Sequence, residues 1–348
     1  MVARTKTAVP APEPVTEEVA PTTWQQWQRF AAEPPPAPPD PAQPRRTVEE
    51  RIAYHSRFVT VHTPAIADTS LEVRTLMAVG RYQRATARPG LILTGPPTTG
   101  KTTTLLEVGR TCHLAETART GPRRDHVPVA YLLVPPGASA KALALEFARY
   151  LAIPVSTRMT LAQITAAVCH TYQQAGVRLV LIDEIHRLNP QTTNGASAAD
   201  FLKDLTEKIP ATFVYAGIDV TNTQLFTGTA GAQLAGRSSL VDCDPLPATA
   251  GTTTPFRDLV AAMENALDLA HHRPGTLLRQ APYLHQRTAG RIGSLSRLIR
   301  RAAITTLLDG TEKITKPVLE AITLDHLAEE HYRPRTPTHT ATARTRRR

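Results

Sequence analysis

Residues 95–102 place two glycines, a lysine and a threonine hydroxyl at a spacing that suits phosphate binding. Their sequence, Gly-Pro-Pro-Thr-Thr-Gly-Lys-Thr, matches G-x-x-x-x-G-K-[ST]. The glycines let the backbone approach phosphates closely, and the loop N–H groups supply positive potential. We expect Lys101 to reach the β- and γ-phosphates and Thr102 to bind Mg²⁺. A plain turn before a capped helix is the competing interpretation. The predicted nucleotide-binding residues are Gly95, Pro96, Pro97, Thr98, Thr99, Gly100, Lys101, Thr102 and Thr103.

Two adjacent acids follow a short apolar segment. Residues 179–182, Leu-Val-Leu-Ile, have the composition of a buried parallel strand, and Asp183 and Glu184 come next. The carboxyl end of such a strand borders the crevice where α/β folds bind ligands. We expect Asp183 to share the magnesium with Thr102, and Glu184 to orient and deprotonate an attacking water. Two acids alone could simply open a helix, but the phosphate-binding loop upstream favours an ATPase with Lys101 and Glu184 as catalytic residues.

The elements that must position these residues alternate between strands and helices. Apolar segments at 91–93, 129–134, 179–182, 212–216 and 240–241 predict five strands, with amphipathic helices between them. Such alternation predicts an α/β fold with a doubly wound parallel sheet. The strand at 212–216 could lie between the other two that carry the site.

After Pro255 the strand signals stop, and helices are predicted near 256–271, 276–288, 294–308 and 316–330. We therefore predict a nucleotide-binding domain over 47–250 and a small all-helical domain over 251–332.

Both ends of the chain differ in composition from the rest. Residues 1–46 hold eleven of the 30 prolines, which predicts a disordered N-terminal arm. Within it, Trp24 and Trp27 could form a short helix that docks on a partner, or a transient helix without one. Residues 333–348 hold six arginines and no acid, out of a net charge of +10. This basic tail predicts contact with a polyanion, most simply DNA, although a solvated end without a specific role is equally compatible.

Composition limits the cellular setting. The sequence has no apolar segment long enough to span a bilayer and no secretory signal, so we expect a soluble cytoplasmic protein without membrane contact. Cys112, Cys169 and Cys243 are far apart and form no CxxC pair, which argues against a disulfide framework or a zinc site.

With these motifs in view, the sequence resembles the AAA+ superfamily and, within it, the TniB-type ATP-binding proteins of transposition systems, relatives of TnsC and MuB. The resemblance covers about residues 48–330. The segments that carry it are Glu50-Arg51-Ile52, Thr63–Pro64, GPPTTGKTT, LVLIDEIHRL and Gly290–Ile299.

The resemblance implies a five-stranded AAA+ P-loop sheet with a helical lid. It also implies ATP-dependent assembly of a homo-oligomer on duplex DNA, and recruitment or activation of a transposase, with a target-selection protein as a further possible partner. In such assemblies a neighbouring subunit supplies an arginine to the γ-phosphate, and Arg237 matches that place.

Two positions depart from the AAA+ pattern. The polar residue that usually ends the fourth strand is not evident in Phe213–Gly217, and Asp219 and Thr221 lie beyond it. The usual lid arginine position falls near Gly293–Ser294, flanked by Arg291 and Arg297, of which Arg297 is the predicted nucleotide contact. These departures predict a slow hydrolase.

Other interpretations stay open. The protein could be a nucleotide-gated AAA+ scaffold or loader in replication or secretion, or a relative that binds ATP without hydrolysing it. His186 could couple the nucleotide to a DNA-facing surface or simply pack at a helix start. Arg119, Arg123 and Arg124 form a basic loop that could touch phosphates or stay solvated.

Overall fold

The computed structural model describes residues 20–40, 42–57, 61–83, 88–121, 123, 125–188, 193–220, 226, 228–249 and 254–332. Among these, no helix is both long and apolar enough to cross a membrane. The Arg-rich tail, Arg124 and Thr221 lie outside the described residues, so the predictions made for them stay predictions.

Five parallel strands form one sheet in the order β2-β3-β4-β1-β5. The strands are β1 (Gly90–Thr94), β2 (Val129–Leu133), β3 (Leu179–Asp183), β4 (Thr212–Ala216) and β5 (Ser238–Asp242). All five residues of β1, β3 and β4 are buried, as expected for central parallel strands covered on both faces. The predicted insertion of strand 212–216 between the strands that end at Thr94 and Asp183 is confirmed.

Within the described residues, six helices and one short 3₁₀ turn accompany the sheet. The turn is Ile185–Arg187, and the helices are α3 (Pro64–Tyr82), α4 (Lys101–Thr120), α5 (Ala140–Tyr150), α6 (Leu161–Gln174), α7 (Thr193–Lys208) and α8 (Gly228–Ala235). Local capping explains several of their starts. Thr160, for example, caps α6, and the Gln163 side chain accepts a hydrogen bond from the Thr160 N–H in return.

The helices after residue 254 enclose a second hydrophobic core. They are α9 (Pro255–Asn265), α10 (Thr276–Arg279), α11 (Ala281–Thr288), α12 (Ile292–Leu308), α13 (Lys316–Ala321) and α14 (His326–Tyr332). We call this group the lid. The helix predicted at 276–288 is interrupted at Gln280, because Pro282 has no N–H for the hydrogen bond that would continue α10 into α11. The helix predicted at 316–330 is likewise two helices, and Asp325 caps the second by accepting from the Ala328 N–H.

Helix α2 (Val48–Arg57) precedes the sheet in sequence but packs on the lid. The predicted capping box is present, since Glu50 accepts from the Thr47 N–H and Thr47 accepts from the Glu50 N–H. Arg51 binds Glu312 with both terminal nitrogens, at 2.7 and 3.0 Å. The sequence division at residue 47 had placed α2 with the nucleotide-binding domain, whereas its contacts are with the lid.

Part of the arm that was predicted to be disordered is a helix, within the described residues 20–40 and 42–46. Helix α1 (Trp24–Ala32) begins at a Thr23 capping box and packs on α4. Trp27 and Ala31, one turn apart, are completely buried in the core of the sheet domain. The surface on which this tryptophan pair docks is therefore the chain's own. Composition alone indicates disorder here because the apolar face of α1 is short and surrounded by proline-rich sequence, whereas the spacing of Trp24 and Trp27 offered a short helix as one alternative.

Candidate functional site

The segment after β1 has the backbone geometry of a phosphate-binding loop. Gly95 and Gly100 have φ angles of +148° and +93°. A Cβ atom on Gly95 would lie 2.3 Å from the carbonyl oxygen of Cys243, so only glycine fits there. Thr98 also has a positive φ, +64°, which costs a non-glycine residue about 1–2 kcal/mol. The loop is thus held in a strained conformation by its surroundings.

Lys101 begins α4 directly after the loop and is buried. Its Nζ donates hydrogen bonds to the carbonyl oxygens of Gly95, at 2.8 Å, and Pro96, at 2.5 Å. Burial lowers the pKa of Lys101, against the opposing influence of Asp183 and Glu184 nearby. The ammonium group therefore lies inside the curve of the loop, where a bound phosphate would replace these carbonyl partners.

Thr102 and Asp183 meet as the sequence predicts. The Thr102 hydroxyl donates to Asp183 Oδ2 at 2.7 Å, although 81 residues separate them. Asp183 is almost fully buried, and burial raises its pKa against hydrogen bonds from Thr102, Glu184 and Tyr131. Hydroxyl and carboxylate oxygens are ligands that Mg²⁺ accepts. Among the described residues no cluster of three or more His, Cys, Asp and Glu could hold a metal, so nucleotide oxygens and water would complete the shell.

Glu184 occupies an unusual backbone position at the end of β3. Its φ is +60°, in the left-handed region that non-glycine residues enter rarely and at some energetic cost. Its carboxylate lies 3.0 Å from Arg187 Nη2 and 3.6 Å from His186 Nε2. His186 Nδ1 in turn accepts a hydrogen bond from the Ile218 N–H at 3.2 Å. His186 therefore lies between Glu184 and the segment after β4, and its coupling role stays a prediction.

The end of β4 presents no polar side chain at the place where AAA+ proteins usually have one, in the part described. Gly217 follows the strand, and a Cβ there would meet Ile185 Cγ2 at 2.9 Å. Asp219 lies further on, exposed, with a φ of +44°. The sequence shows no polar residue at the end of this strand, and the described residues agree with that. The contact found there instead is the hydrogen bond from the Ile218 N–H to His186 Nδ1.

The lid touches the phosphate-binding loop through its backbone. The Gly293 N–H, in the first turn of α12, donates to the Thr98 carbonyl at 2.8 Å. Arg297, the predicted nucleotide contact, pairs with Asp325 Oδ2 at 3.1 Å. The same oxygen accepts from the Ser294 hydroxyl at 2.8 Å. Arg297 is thus held within the lid here, and a role in nucleotide binding stays a prediction.

Arg237 lies at the other end of the sheet from the chain's own phosphate-binding loop. Its carbonyl accepts from the N–H of Gly90, the first residue of β1, whereas the loop follows the last. Four residue steps at about 3.3 Å put roughly 13 Å between the two ends of the strand. Its side chain is exposed and 3.5 Å from Glu207. Arg237 could therefore act only on a neighbour's nucleotide, which stays a prediction.

Three participants escaped the sequence analysis. Tyr131 on β2 donates its hydroxyl to Asp183 Oδ2 at 3.0 Å. Gly293 supports Thr98, and Asp325 holds Arg297. Tyr131 gave one usable signal, because a phenol in the otherwise apolar segment 129–134 needs a buried partner.

Comparison with known proteins identifies the family of this chain. A family model described as bacterial TniB protein matches residues 51–240, more than half of the chain. A search of curated protein sequences found no match. Among solved structures, the chain is similar to the Orc1 protein of Aeropyrum pernix in complex with DNA, with 16% identity and a TM-score of 0.56, over 77% of this chain and 65% of that one.

It is also similar to Cdc6p of Pyrobaculum aerophilum, with 16% identity and a TM-score of 0.55, over 74% of this chain and 66% of that one. The chain thus spans slightly less than two thirds of each of these proteins, and at such identities the likeness shows the fold alone. The fold is that of AAA+ P-loop ATPases, and the chain belongs to the TniB family.

Proposed function

We propose that this protein binds ATP with magnesium and hydrolyses it slowly. The observation that carries the proposal is the 2.7 Å contact between Thr102 and Asp183, beside the buried Lys101. The N–H groups of the loop and Lys101 Nζ bind the phosphates, while Thr102 and Asp183 hold the magnesium. When bound, Mg²⁺ offsets the negative charge of the β- and γ-phosphate oxygens. Glu184 orients water and takes its proton.

Several features support slow rather than fast turnover. The Glu184 carboxylate is engaged by Arg187 at 3.0 Å, so it must leave this ion pair before it can accept a proton freely. Arg237 is too far from the chain's own loop to contribute, so hydrolysis requires a second subunit. Activity in this proposal therefore follows assembly, and the ATP-bound assembly is the functional state.

We further propose that the assembly forms on duplex DNA and regulates a transposase. The membership of the TniB family supports this role, as does the Arg-rich tail, whose charge suits the phosphate backbone without sequence readout. A gene for an integrase-type transposase next to the gene of this protein is the expected genomic setting.

The hydrolysis proposal is tested with Glu184→Gln, which keeps the size of the side chain and removes its basicity. We expect phosphate release to fall about 100-fold or more while ATP binding is retained, since general bases contribute about 10²–10⁴. A wild-type protein that releases phosphate no faster than the variant would instead be an ATP-binding relative without hydrolysis.

The DNA proposal is tested with a fluorescently labelled duplex and the full chain. Anisotropy is measured with a non-hydrolysable ATP analogue, with ADP and without nucleotide, over a range of salt concentrations. We expect the tightest binding with the analogue and a steep loss of affinity with salt. Equal binding in the three nucleotide states would overturn the switch. Electron microscopy of the same samples shows whether a ring or a filament forms.

A further inference from the structure

The carboxylate of Asp183 has three hydrogen-bond partners inside the protein. Its Oδ1 accepts from the Glu184 N–H at 2.8 Å, and its Oδ2 accepts from both Thr102 and Tyr131. The Tyr131 hydroxyl thus reaches the same oxygen as the proposed magnesium ligand Thr102. An ionised carboxylate only accepts hydrogen bonds, so the Tyr131 hydroxyl is the donor in this contact.

Tyr131 is itself held by the N-terminal helix α1. The rings of Tyr131 and Trp27 are stacked, with centroids 6.1 Å apart and planes 18° from parallel. Trp27 is completely buried, and both residues belong to the core of the sheet domain. A contact of this kind between aromatic rings contributes about 0.5–1.5 kcal/mol beyond the buried area.

Room for Trp27 is provided by a glycine in α4, the helix that begins at Lys101. A Cβ atom on Gly109 would lie 2.6 Å from Trp27 Cη2 and 2.5 Å from Leu181 Cδ1. Trp27 therefore fills a space between α4 and β3, the two elements that carry Thr102 and Asp183. Any displacement of α1 changes the packing of both elements and of Tyr131 together.

We propose that Tyr131 is a positioning residue for the Asp183 carboxylate, and that α1, through Trp27, holds Tyr131 in place. The segment in front of the AAA+ domain thereby sets the affinity of the site for Mg²⁺. This inference rests on the proposed magnesium–nucleotide site. Its physical basis is that a carboxylate ligand whose second hydrogen bond is lost can turn away from the cation, which typically weakens metal binding 10–100-fold.

The test is Tyr131→Phe, which removes only the hydroxyl. A matched control is Tyr150→Phe, because Tyr150 is equally buried but donates to the Val129 carbonyl, away from Asp183. Binding of a fluorescent ADP analogue is titrated with Mg²⁺. We expect Tyr131→Phe to need about 10-fold or more Mg²⁺ for the same binding, with unchanged affinity in EDTA, and Tyr150→Phe to behave like wild type.

The outcomes separate the two proposals. A Tyr131→Phe protein that responds to Mg²⁺ within twofold of the control would overturn the positioning role. A wild-type protein whose nucleotide binding does not depend on Mg²⁺ would instead overturn the proposed site. Circular dichroism of both variants confirms that each is folded before the comparison is made.

The contribution of α1 is read from tryptophan fluorescence, because Trp24 and Trp27 are the chain's two tryptophans. In Trp24→Phe, Trp27 is the sole reporter. We expect saturating Mg·ADP to change its emission, and the additional substitution Tyr131→Phe to remove most of that change. Emission that does not respond to Mg·ADP in Trp24→Phe would overturn the coupling of α1 to the site.

Discussion

Replacing Gly293 by alanine tests the contact between the lid and the phosphate-binding loop. A Cβ atom there would lie 2.7 Å from the Thr98 carbonyl oxygen, whereas carbon–oxygen contacts in proteins are usually about 3.3–3.6 Å. The two segments must therefore separate by about 0.6 Å or more. Because the obstacle is backbone rather than a flexible side chain, the Gly293 N–H to Thr98 bond is stretched or broken.

Two opposing effects decide the size of the result. Alanine favours the helix over glycine by about 1 kcal/mol. Overpacking costs about 1–3 kcal/mol, and the hydrogen bond contributes about 1 kcal/mol more. We therefore expect lid docking to weaken by about 2 kcal/mol, which is up to about a 30-fold loss in apparent nucleotide affinity. The helix gain is already included in this sum, so the whole protein is also destabilised, by about 2 kcal/mol at most.

The assay compares the affinity of a fluorescent ADP analogue in Gly293→Ala with that in Gly80→Ala. Gly80 is also a helical glycine, but a Cβ there would meet the flexible Arg88 side chain at 3.3 Å and the Thr212 hydroxyl only at 4.0 Å. We expect the control to bind nucleotide like wild type. Wild-type affinity in Gly293→Ala would refute the argument that the lid supports Thr98 and the loop.

Three further predictions follow from the packing. The hydrogen bond from Arg51 is the largest cause of a Glu312 pKa of about 2, below its ordinary 4.5, and the Ala270 N–H and Arg45 add to it. The shift corresponds to about 3 kcal/mol of stability at most, present above pH 4.5 and lost as the pH falls towards 2. Urea unfolding should show Arg51→Met losing most of this at pH 7 and little near pH 2.5, whereas a pH-independent loss would contradict it. Gly109→Ala should destabilise the sheet domain by about 1–3 kcal/mol in thermal unfolding, because Trp27 must move; an unchanged melting temperature would argue against tight packing there. Arg237→Ala should bind ATP normally but release little phosphate, and normal phosphate release would remove Arg237 as the residue acting between subunits.

Much of the nucleotide site is formed by residues that are close together in the sequence, and the sequence alone predicts these residues. The phosphate-binding loop is eight consecutive residues whose glycines meet local backbone requirements, so its spacing identifies it without knowledge of the fold. The strand ending in Asp183 is equally local, since four apolar residues predict burial and the next residue lies at the strand's carboxyl end. Even the central place of β4 was predictable once the adjacent Glu184 indicated the AAA+ type.

Lid boundaries were less well predicted because helix continuity depends on single residues. The helical spacing of apolar residues continues across Gln280, although a new helix begins next to Pro282. It also continues across Asp325, which caps a new helix. The disorder predicted for residues 1–46 does not extend to α1, for a different reason. Its composition is that of a disordered segment, and what orders α1 is a space beside Gly109, about 80 residues further along the chain.

The sequence by itself therefore determined the class of chemistry, through contiguous motifs with local conformational demands. Tertiary structure decided which groups support that chemistry. Tyr131 reaches Asp183 only because β2 and β3 are neighbours in register, and Gly293 reaches Thr98 only because the lid folds back over the loop. The identity of the partner leaves no local signal, since a hydrogen bond between residues 52 or 195 positions apart depends on the packing of the elements between them.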